Sequence, residues 1–468
     1  MKSLPNLLDT GRSPYQIILF LAWPTIIEQL LQTAVNYVDI AMVGTVGIDA
    51  TAAIGVSQST VWMINGLLMA ISLGFAAIVG RSIGEGNLEK ARCVIRQAVL
   101  SVFVVGAILT LAAVAVLGPN LARWMGADQQ VIPLSQQYYT TIGSAYLFQA
   151  ALVICANLLR VSGDTRTPMF FNILTNLINI CGNFLLIYPT RQLQILGMNV
   201  TMPGAGLGVW GAAIATALGI AFSGTCMLIT LFRTRSELAI RLRDDYRPSR
   251  IIIQQAARLA FPTAVERVTI SSGQIVMTAL ITSAGTAALS ANQLANTGES
   301  LCYLPMFGFA TAGTTLVSQA LGAKREEQAI RYGTGCVKLA VLSITLLSIG
   351  MFLFAPQIMG VFTRDEQVIA MGATVLRIEA FAEPFQAIGT VLAGVLRGAG
   401  DTKWPFYVSL IGMWGVRVSV ALILLHGFDL GLNAVWIAMA MDWVARASIS
   451  MVRFYRKKWL YAWAGLRK

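Results

Sequence analysis

Residues 159–168 read LRVSGDTRTP, and residues 396–405 read LRGAGDTKWP. The two segments lie 237 residues apart (159 to 396) and share a Leu-Arg pair, a Gly-Asp-Thr triplet and a closing proline. Glycine and aspartate favour tight turns, and proline is well tolerated in the first turn of a helix. Each segment therefore predicts a turn followed by a new helix, and the recurrence indicates that one half of the chain resembles the other.

Three further pairs of segments recur at almost the same offset. They are Trp23-Pro24-Thr25 with Glu28 against Phe261-Pro262-Thr263 with Glu266, Ile83-Gly84 against Leu321-Gly322, and Phe148-Gln149-Ala150 against Phe385-Gln386-Ala387. Matches that stay in register from one end to the other indicate an internal duplication. We therefore predict a first half over residues 1–233, a polar, arginine-rich linker over 234–250, and a second half over 251–468.

The composition is that of a membrane protein. Of the 468 residues, 56% are hydrophobic and 12% are charged, whereas a soluble domain carries about 25% charged residues. Apolar runs of roughly 20 residues, long enough to span a bilayer, recur throughout. Because lipid offers the backbone no hydrogen-bond partners, these runs must be helices. Twelve of them are centred near residues 30, 67, 106, 145, 179, 219, 268, 303, 343, 382, 416 and 443.

These runs predict an all-α polytopic membrane protein with twelve transmembrane helices in two six-helix bundles. Six is an even number, so both halves enter the membrane from the same side, and a pseudo-two-fold axis along the membrane normal should relate them. The substrate path is then expected between the two bundles.

The basic residues predict the orientation. Lys and Arg accumulate in cytoplasmic loops, and one set of loops holds nearly all of them, while the alternate loops hold only Arg123, Arg191 and Arg364. Both termini fall on the basic side, so we expect a multi-pass membrane protein with both termini in the cytoplasm. The net charge of +12 then reflects topology and contact with membrane lipids, not nucleic-acid binding.

The absence of certain motifs argues against direct use of ATP and against histidine-based metal or catalytic sites. The sequence contains no G-x-x-x-x-G-K-[ST] loop, so ATP is not expected to drive the protein directly. The lone histidine, His426, supports neither a histidine-based metal site nor a Ser-His triad. We therefore expect neither an enzyme nor a cofactor.

Charged and amide side chains inside the predicted spans are the candidate functional residues of the first half. Asp39 lies 15 residues after Pro24, with no basic residue one helical turn away, and its counterpart in the second half is Met277. In the fifth span, Asn176, Asn179 and Asn183 share one helical face. Their oxygens and the Asp39 carboxylate suit Na⁺, or form a hydrogen-bonded cage around a carboxyl that takes up a proton. Simple hydrogen bonding between helices is the alternative.

The second half carries more acids in its spans. Glu266, Glu299, Glu379 and Glu383 lie there, and Arg267 and Arg377 are candidate partners for them. Because opposite charges on adjacent helices neutralise each other, we also predict a structural pair of Asp442 with Arg417 or with Arg446.

Several motifs together resemble one known family. They are Trp23-Pro24-x-x-x-Glu28-Gln29, Val38-Asp39, Val43-Gly44, the segment from Leu159 to Thr165 with its repeat from Leu396 to Thr402, the stretch Gly308 to Gly322, and the stretch Gly206 to Thr216. The sequence is similar to prokaryotic transporters of the multidrug and toxic compound extrusion (MATE) family over essentially its whole length. Asn183 stands where DinF-like members usually carry Asp, so the resemblance is closer to NorM-like members.

The resemblance implies export of amphipathic, often cationic compounds in exchange for Na⁺ or H⁺, without a cofactor. It assigns the cation-coupling site, with Na⁺ as a candidate ligand, to Asp39, Asn179, Asn183 and Thr216, and helix bending to Pro24. The second-half acids of NorM-like members are replaced here by Ile270 and Gly389. The residues expected at the substrate cavity are Tyr37, Trp62, Phe148, Glu266 and Glu299. The resemblance to prokaryotic members also implies a location in the bacterial cytoplasmic (inner) membrane. We expect small-molecule drugs or organic cations as substrates and a monomeric protein.

A flippase for lipid-linked oligosaccharides is the alternative function, because relatives in the wider superfamily share this architecture. Such a flippase needs a cationic central groove for pyrophosphate, whereas a transporter of organic cations needs an acidic one. A membrane-embedded enzyme would require clustered His, Cys or Ser/Asp residues, which the spans lack.

Overall fold

Helices form nearly all of the protein. A computed structural model describes residues 7–8, 11–195, 198–233, 238–241, 243–283, 285–428 and 430–466, so residues 234–237 and 242 of the predicted linker lie outside the described residues. The helices of the first half are α1 (Pro14–Gly44), α2 (Ile48–Gly84), α3 (Leu88–Ala112), α4 (Gly118–Trp124), α5 (Val131–Ser144), α6 (Tyr146–Val161), α7 (Arg166–Leu186) and α8 (Gly208–Arg233). Those of the second half are α9 (Arg250–Ser283), α10 (Thr286–Gly322), α11 (Glu326–Leu353), α12 (Ala355–Phe362), α13 (Glu366–Gly398), α14 (Lys403–Leu410), α15 (Ser419–Phe428) and α16 (Leu432–Tyr455).

The helices coincide with the twelve predicted spans. The third span joins α3 to α4 through a π-helical segment, Ala113–Leu117, and the eleventh joins α14 to α15 through another, Ile411–Val418. The fourth consists of α5 and α6, with a bend of 48° between them. Within the described residues, nine spans and this bent pair are long and apolar enough to cross a bilayer. The other two, α9 and α13, have 34 and 33 residues and carry more charged side chains.

One short element departs from the all-helical prediction. Between α7 and α8, strands β1 (Pro189–Ile195) and β2 (Met198–Ala205) form an antiparallel hairpin. This connection lies outside the predicted spans. Water can satisfy the free edges of a hairpin there, so the rule that confines membrane-spanning backbone to helices does not apply.

Helix α1 carries the first candidate residues and is continuous through a proline. It begins at a capping box, in which Ser13 Oγ accepts from the Gln16 amide and the Ser13 amide donates to Gln16 Oε1, both at 3.3 Å. Pro24 lies inside the helix, where it removes one backbone hydrogen bond. The helix is therefore weakened at one turn between its capped start and Asp39.

The two halves meet where α2 and α10 end. A Cβ added to Gly84 would overlap the carbonyl oxygen of Gln319, and one added to Gly322 would overlap that of Arg81. Next to this crossing, Gln319 Nε2 donates to the Val161 carbonyl at 2.7 Å. The recurring Gly84 and Gly322 thus give the two halves equivalent positions at which their backbones touch.

The last described segment lies against both halves. Trp459 is fully buried, stacks on Phe454 and belongs to a hydrophobic cluster that includes residues of α10, α11 and α13. Trp463 packs with the hydrophobic core of the first half, and the Arg81 guanidinium lies 4.9 Å from the centre of its ring. This 3₁₀-helical segment, Lys458–Leu466, therefore joins the halves near the crossing of α2 and α10.

A buried ion pair is built twice, once in each half. Arg160 Nη2 donates to both oxygens of Glu28 at 2.6 and 2.7 Å, and Arg397 Nη2 donates to both oxygens of Glu266 at 2.8 Å. The third partner is Asn172 in the first half, at 2.7 Å, and Ser409 in the second, at 2.9 Å.

These six residues occupy equivalent places in the repeat, since Glu28 and Glu266 both follow the span proline by four residues. The duplicated motifs therefore encode one ion pair that ties the first span of each half to the end of its fourth span.

We expect Gly84→Val to destabilise the contact between the halves, because a branched side chain would force α2 away from α10. Overpacking of this kind costs about 1–3 kcal/mol, which should lower the thermal unfolding temperature of the purified protein. Gly55→Val is the matched control, since Gly55 is also in α2 and a Cβ there meets no atom within 4 Å. Equal unfolding temperatures for the two variants would contradict the proposed close contact.

We expect Arg397→Gln to be strongly destabilising, by about 3–5 kcal/mol, because the buried Glu266 would lose its hydrogen-bonded cation. The double variant Glu266→Gln with Arg397→Gln should recover part of this loss, since the buried carboxylate is then removed as well. Thermal unfolding of the single and double variants in the same detergent measures both effects. A double variant less stable than Arg397→Gln would show that the buried carboxylate is not the cause.

Candidate functional site

Asp39 lies where α1, α7 and α8 meet. Its carboxylate is partly buried, and Asn183 Nδ2 donates to its Oδ1 at 2.6 Å. Among the described residues, no basic side chain forms an ion pair with Asp39. The negative charge of Asp39 is therefore held by neutral donors.

Asn179 connects Asp39 to Thr216. One amide atom of Asn179 lies 2.7 Å from Asp39 Oδ1 and the other lies 2.8 Å from Thr216 Oγ1. Because a carboxylate oxygen only accepts, the amide atom that faces Asp39 is the nitrogen. The structure thus brings together all four residues expected at the cation-coupling site, on three different helices.

Close packing of α7 against α8 makes this cluster possible. A Cβ on Gly182 would lie 2.8 Å from the Ala215 Cβ, closer than side chains tolerate. Small residues at such positions let membrane helices approach closely. Thr216, next to Ala215, is therefore near enough for its hydroxyl to reach Asn179 across the interface.

One acceptor in the cluster is unused. Asn183 Oδ1 is buried and has no hydrogen-bond partner among the described residues. A buried oxygen of this kind, together with the Asp39 carboxylate, matches the oxygen ligands that hard cations prefer. The same carboxylate can instead take up a proton and keep its amide neighbours. The cluster is chemically suited to either cation.

The three aromatic residues expected at the substrate cavity differ in their contacts and in their exposure. The Tyr37 hydroxyl lies 2.7 Å from Ser300 Oγ and donates to the Thr297 carbonyl at 3.1 Å, which links α1 to α10 across the two halves. Trp62 is 67% exposed, whereas Phe148 is partly buried. Of the three, Trp62 is the most open to a ligand.

The two glutamates expected at the cavity are not open to it. Glu266 and Glu299 are each 4% exposed. Glu266 is occupied by Arg397 and Ser409, and Glu299 lies in the interior of the second half, close enough to Arg417 to interact with it electrostatically. The structure shows that a buried partner, or a buried cluster, accommodates them instead.

A second acidic cluster lies inside the second half. Asp442 accepts from Arg417 Nε at 2.8 Å and from Arg446 Nε, so the predicted structural pairing is confirmed and involves both arginines. Glu379 and Glu383 are fully buried on α13, and no amide, hydroxyl or guanidinium group of the described residues donates to their carboxylate oxygens. The Cys302 thiol, a weak donor, lies next to Glu383. Buried carboxyls without a stronger donor require a proton or a bound cation.

The ion pair of Glu28 with Arg160 was not predicted from the sequence. The signal was present, because both residues belong to motifs that recur in the second half as Glu266 and Arg397. A shared offset does not indicate that two recurring residues contact each other. The ion pair could therefore be identified only from the tertiary structure.

Solved structures share this fold. A transporter of the MOP superfamily from Pyrococcus furiosus superimposes with a TM-score of 0.89 at 23% identity, over 100% of both chains. A multidrug resistance MATE family transporter, solved in an outward-facing conformation, superimposes with a TM-score of 0.87 at 23% identity over 98% of this chain and 97% of that one.

Similar sequences are named as transporters. A "Probable multidrug resistance protein NorM" from Thermotoga maritima is 29% identical over 440 residues, which is 94% of this chain and 92% of the relative. The "Uncharacterized transporter YisQ" of Bacillus subtilis is 24% identical over 94% of each chain.

The family model MatE matches residues 24–185 and again residues 262–423. These two ranges repeat the duplication found in the sequence and together cover more than half of the chain. The protein therefore belongs to the MATE family of membrane transporters.

Proposed function

We propose that the protein exports amphipathic, cationic drugs in exchange for Na⁺ or H⁺, and that Asp39 is the coupling carboxylate. The observation that carries this proposal is the environment of Asp39, whose carboxylate faces amide donors and no basic partner in the described chain. Glu28, Glu266 and Asp442 are each neutralised by arginine, whereas Asp39 is left for a mobile cation. The names of relatives as multidrug resistance proteins support the substrate class.

The coupling step follows from two states of the Asp39 cluster. With a cation or proton bound, the negative charge is neutralised. Without it, the charge depends on Asn179 and Asn183 alone. A cation drives transport only if its affinity differs between the outward-open and inward-open forms. The weakened turn at Pro24 lets α1 bend and change the distance from Asp39 to the amides, which supplies such a difference.

Alternating access requires the halves to separate at one end and close at the other. We take residues 1–233 and 251–468 as the moving lobes and 234–250 as their cytoplasmic linker. The contact of α2 with α10 then closes the cytoplasmic end, in agreement with the basic loops and with both termini on the cytoplasmic side of the inner membrane. Tyr37, which bridges α1 and α10, and the exposed Trp62 are the proposed ligand contacts of a monomeric transporter.

The second acidic cluster supports an additional cation or proton in the second half. Arg417 and Arg446 carry two positive charges, and Asp442 neutralises one of them. The remaining positive charge cannot balance Glu299, Glu379 and Glu383 together. This cluster has no equivalent at the corresponding positions of the first half, which are Val61, Ile142 and Tyr146. The two lobes therefore bind cations with different chemistry.

The charge distribution disfavours the flippase alternative. A pyrophosphate groove needs arginines that are open to the ligand. Among the described residues, Arg160, Arg397, Arg417 and Arg446 each pair with a glutamate or an aspartate, so these four are not free to bind a phosphorylated lipid. Two further span arginines, Arg267 and Arg377, are exposed, and this pairing does not cover them.

We expect Asp39→Asn to reduce drug export by about tenfold or more, since coupling energies of ~1–3 kcal/mol correspond to about 5–150-fold. The measurement is efflux of ethidium or norfloxacin from proteoliposomes under separately imposed Na⁺ and H⁺ gradients. Asp49→Asn is the matched control, because Asp49 lies exposed in the first turn of α2. Export that ignores both gradients and is unchanged in Asp39→Asn would reject the antiport proposal and favour a flippase.

We expect Glu383→Gln to lower the number of cations exchanged per drug without abolishing export, because the Asp39 cluster remains intact. Reversal-potential measurements in proteoliposomes give this ratio for the wild type and the variant. Glu366→Gln, at the exposed start of α13, is the control. An unchanged ratio would limit coupling to the first half.

A further inference from the structure

Arg377 is a charged residue on a membrane-spanning helix without an acidic partner. It lies on α13 and is exposed, and within the described residues it forms no ion pair. Its Nε donates to the Phe352 carbonyl at 3.4 Å, and its guanidinium lies 5.8 Å from the centre of the Phe352 ring. The remaining guanidinium donors have no partner in the described protein, contrary to the expectation that Arg377 pairs with a glutamate.

Arg377 borders a large apolar groove. The groove has a volume of about 780 Å³ and is formed by α13, the π-helical segment Ile411–Val418 and α16. Its apolar lining includes Ile378, Phe381, Val416, Met441 and Val444. Phe381 is 71% exposed and Met441 is 48% exposed, so the helices of the described chain leave these side chains uncovered.

The groove lies on the outer side of the second half, facing the membrane. Glu379 and Glu383 follow Arg377 by two and six residues, so they lie on the opposite face of α13. That opposite face packs towards α10, the helix that contacts the first half. The face with Arg377 therefore points away from the interface between the halves.

The groove lies towards one end of the spans. Arg377 contacts Phe352, the second-last residue of α11, and follows the first residue of α13 by 11 positions, roughly 16 Å along that helix. The lining residues of α16 run from Ile437 to Ala445, roughly 8–20 Å along the axis from the start of that helix. Arg377 and the apolar lining therefore lie side by side in the same half of the spans.

We propose that this groove binds one membrane phospholipid, with its phosphate on Arg377 and an acyl chain along α13 and α16. An arginine exposed to lipid is costly unless an anion compensates it. Guanidinium groups bind phosphate through paired, charge-assisted hydrogen bonds, while the apolar walls exclude a hydrated anion without a chain. With the orientation proposed above, the lipid belongs to the outer leaflet, although the binding site itself does not depend on the transport function.

The test is native mass spectrometry of the purified full-length protein titrated with defined lipids. The wild type should retain phosphatidylglycerol more strongly than diacylglycerol, which has the chains but no phosphate. Arg377→Gln should weaken phosphatidylglycerol binding by about tenfold, as expected for loss of a charge-assisted hydrogen bond, and leave diacylglycerol binding unchanged. Arg364→Gln, at an exposed loop position just before α13, is the matched control and should bind like the wild type.

A second variant tests the acyl-chain part of the site. Ala445→Phe should fill the groove and weaken both lipids while Arg377 is still present. Thermal unfolding of each variant without added lipid separates loss of binding from loss of folding.

The location is tested by photo-crosslinking. Phosphatidylglycerol with a photoreactive acyl chain should label peptides that contain Phe381 or Met441. Labelling confined to other helices would overturn the proposal, as would equal phosphatidylglycerol affinity in Arg377→Gln and the wild type. Binding of inorganic phosphate alone to the wild type, lost in Arg377→Gln, would show an anion site without lipid specificity and would also overturn it.

Discussion

A charged side chain in the hydrocarbon core of a membrane has no water to solvate it, so the protein must neutralise each charge by its own contacts. Glu28 and Glu266 are held by Arg160 and Arg397. These pairs fasten the first span of each half to the end of its fourth span. The positions of the other spans, and of the functional residues on them, depend on this anchorage.

The residues with a proposed function are those whose charge is not neutralised by an oppositely charged side chain. Asp39 is held by amides, and Arg377 faces an apolar groove. The carboxyls of Glu379 and Glu383 receive no hydrogen bond from an amide, hydroxyl or guanidinium group of the described protein. Each of these groups needs a partner that is not a side chain. The proposed partners are a transported cation, a cation or proton in the second half, and a lipid phosphate.

The two halves share their ion pairs but differ in their candidate functional residues. The ion pairs recur in both halves because each bundle must be held together in the same way. Asp39 does not recur, since Met277 occupies the equivalent position, and the second half carries its acids on α10 and α13 instead. The repeat thus preserves the packing of the bundles while the polar residues between their helices differ.

The sequence by itself determined the twelve spans and the duplication, because hydropathy, helical periodicity and recurring motifs act over short stretches of chain. The family resemblance of its motifs indicated the four residues of the Asp39 cluster. The sequence did not determine the hairpin between α7 and α8, whose pairing forms outside the membrane. The sequence also did not predict that Glu266 and Glu299 are buried in the protein interior, or that Arg377 has no acidic partner among the described residues. Those outcomes depend on which faces of distant helices meet, and only the tertiary structure, through close packing of residues far apart in sequence, decided them.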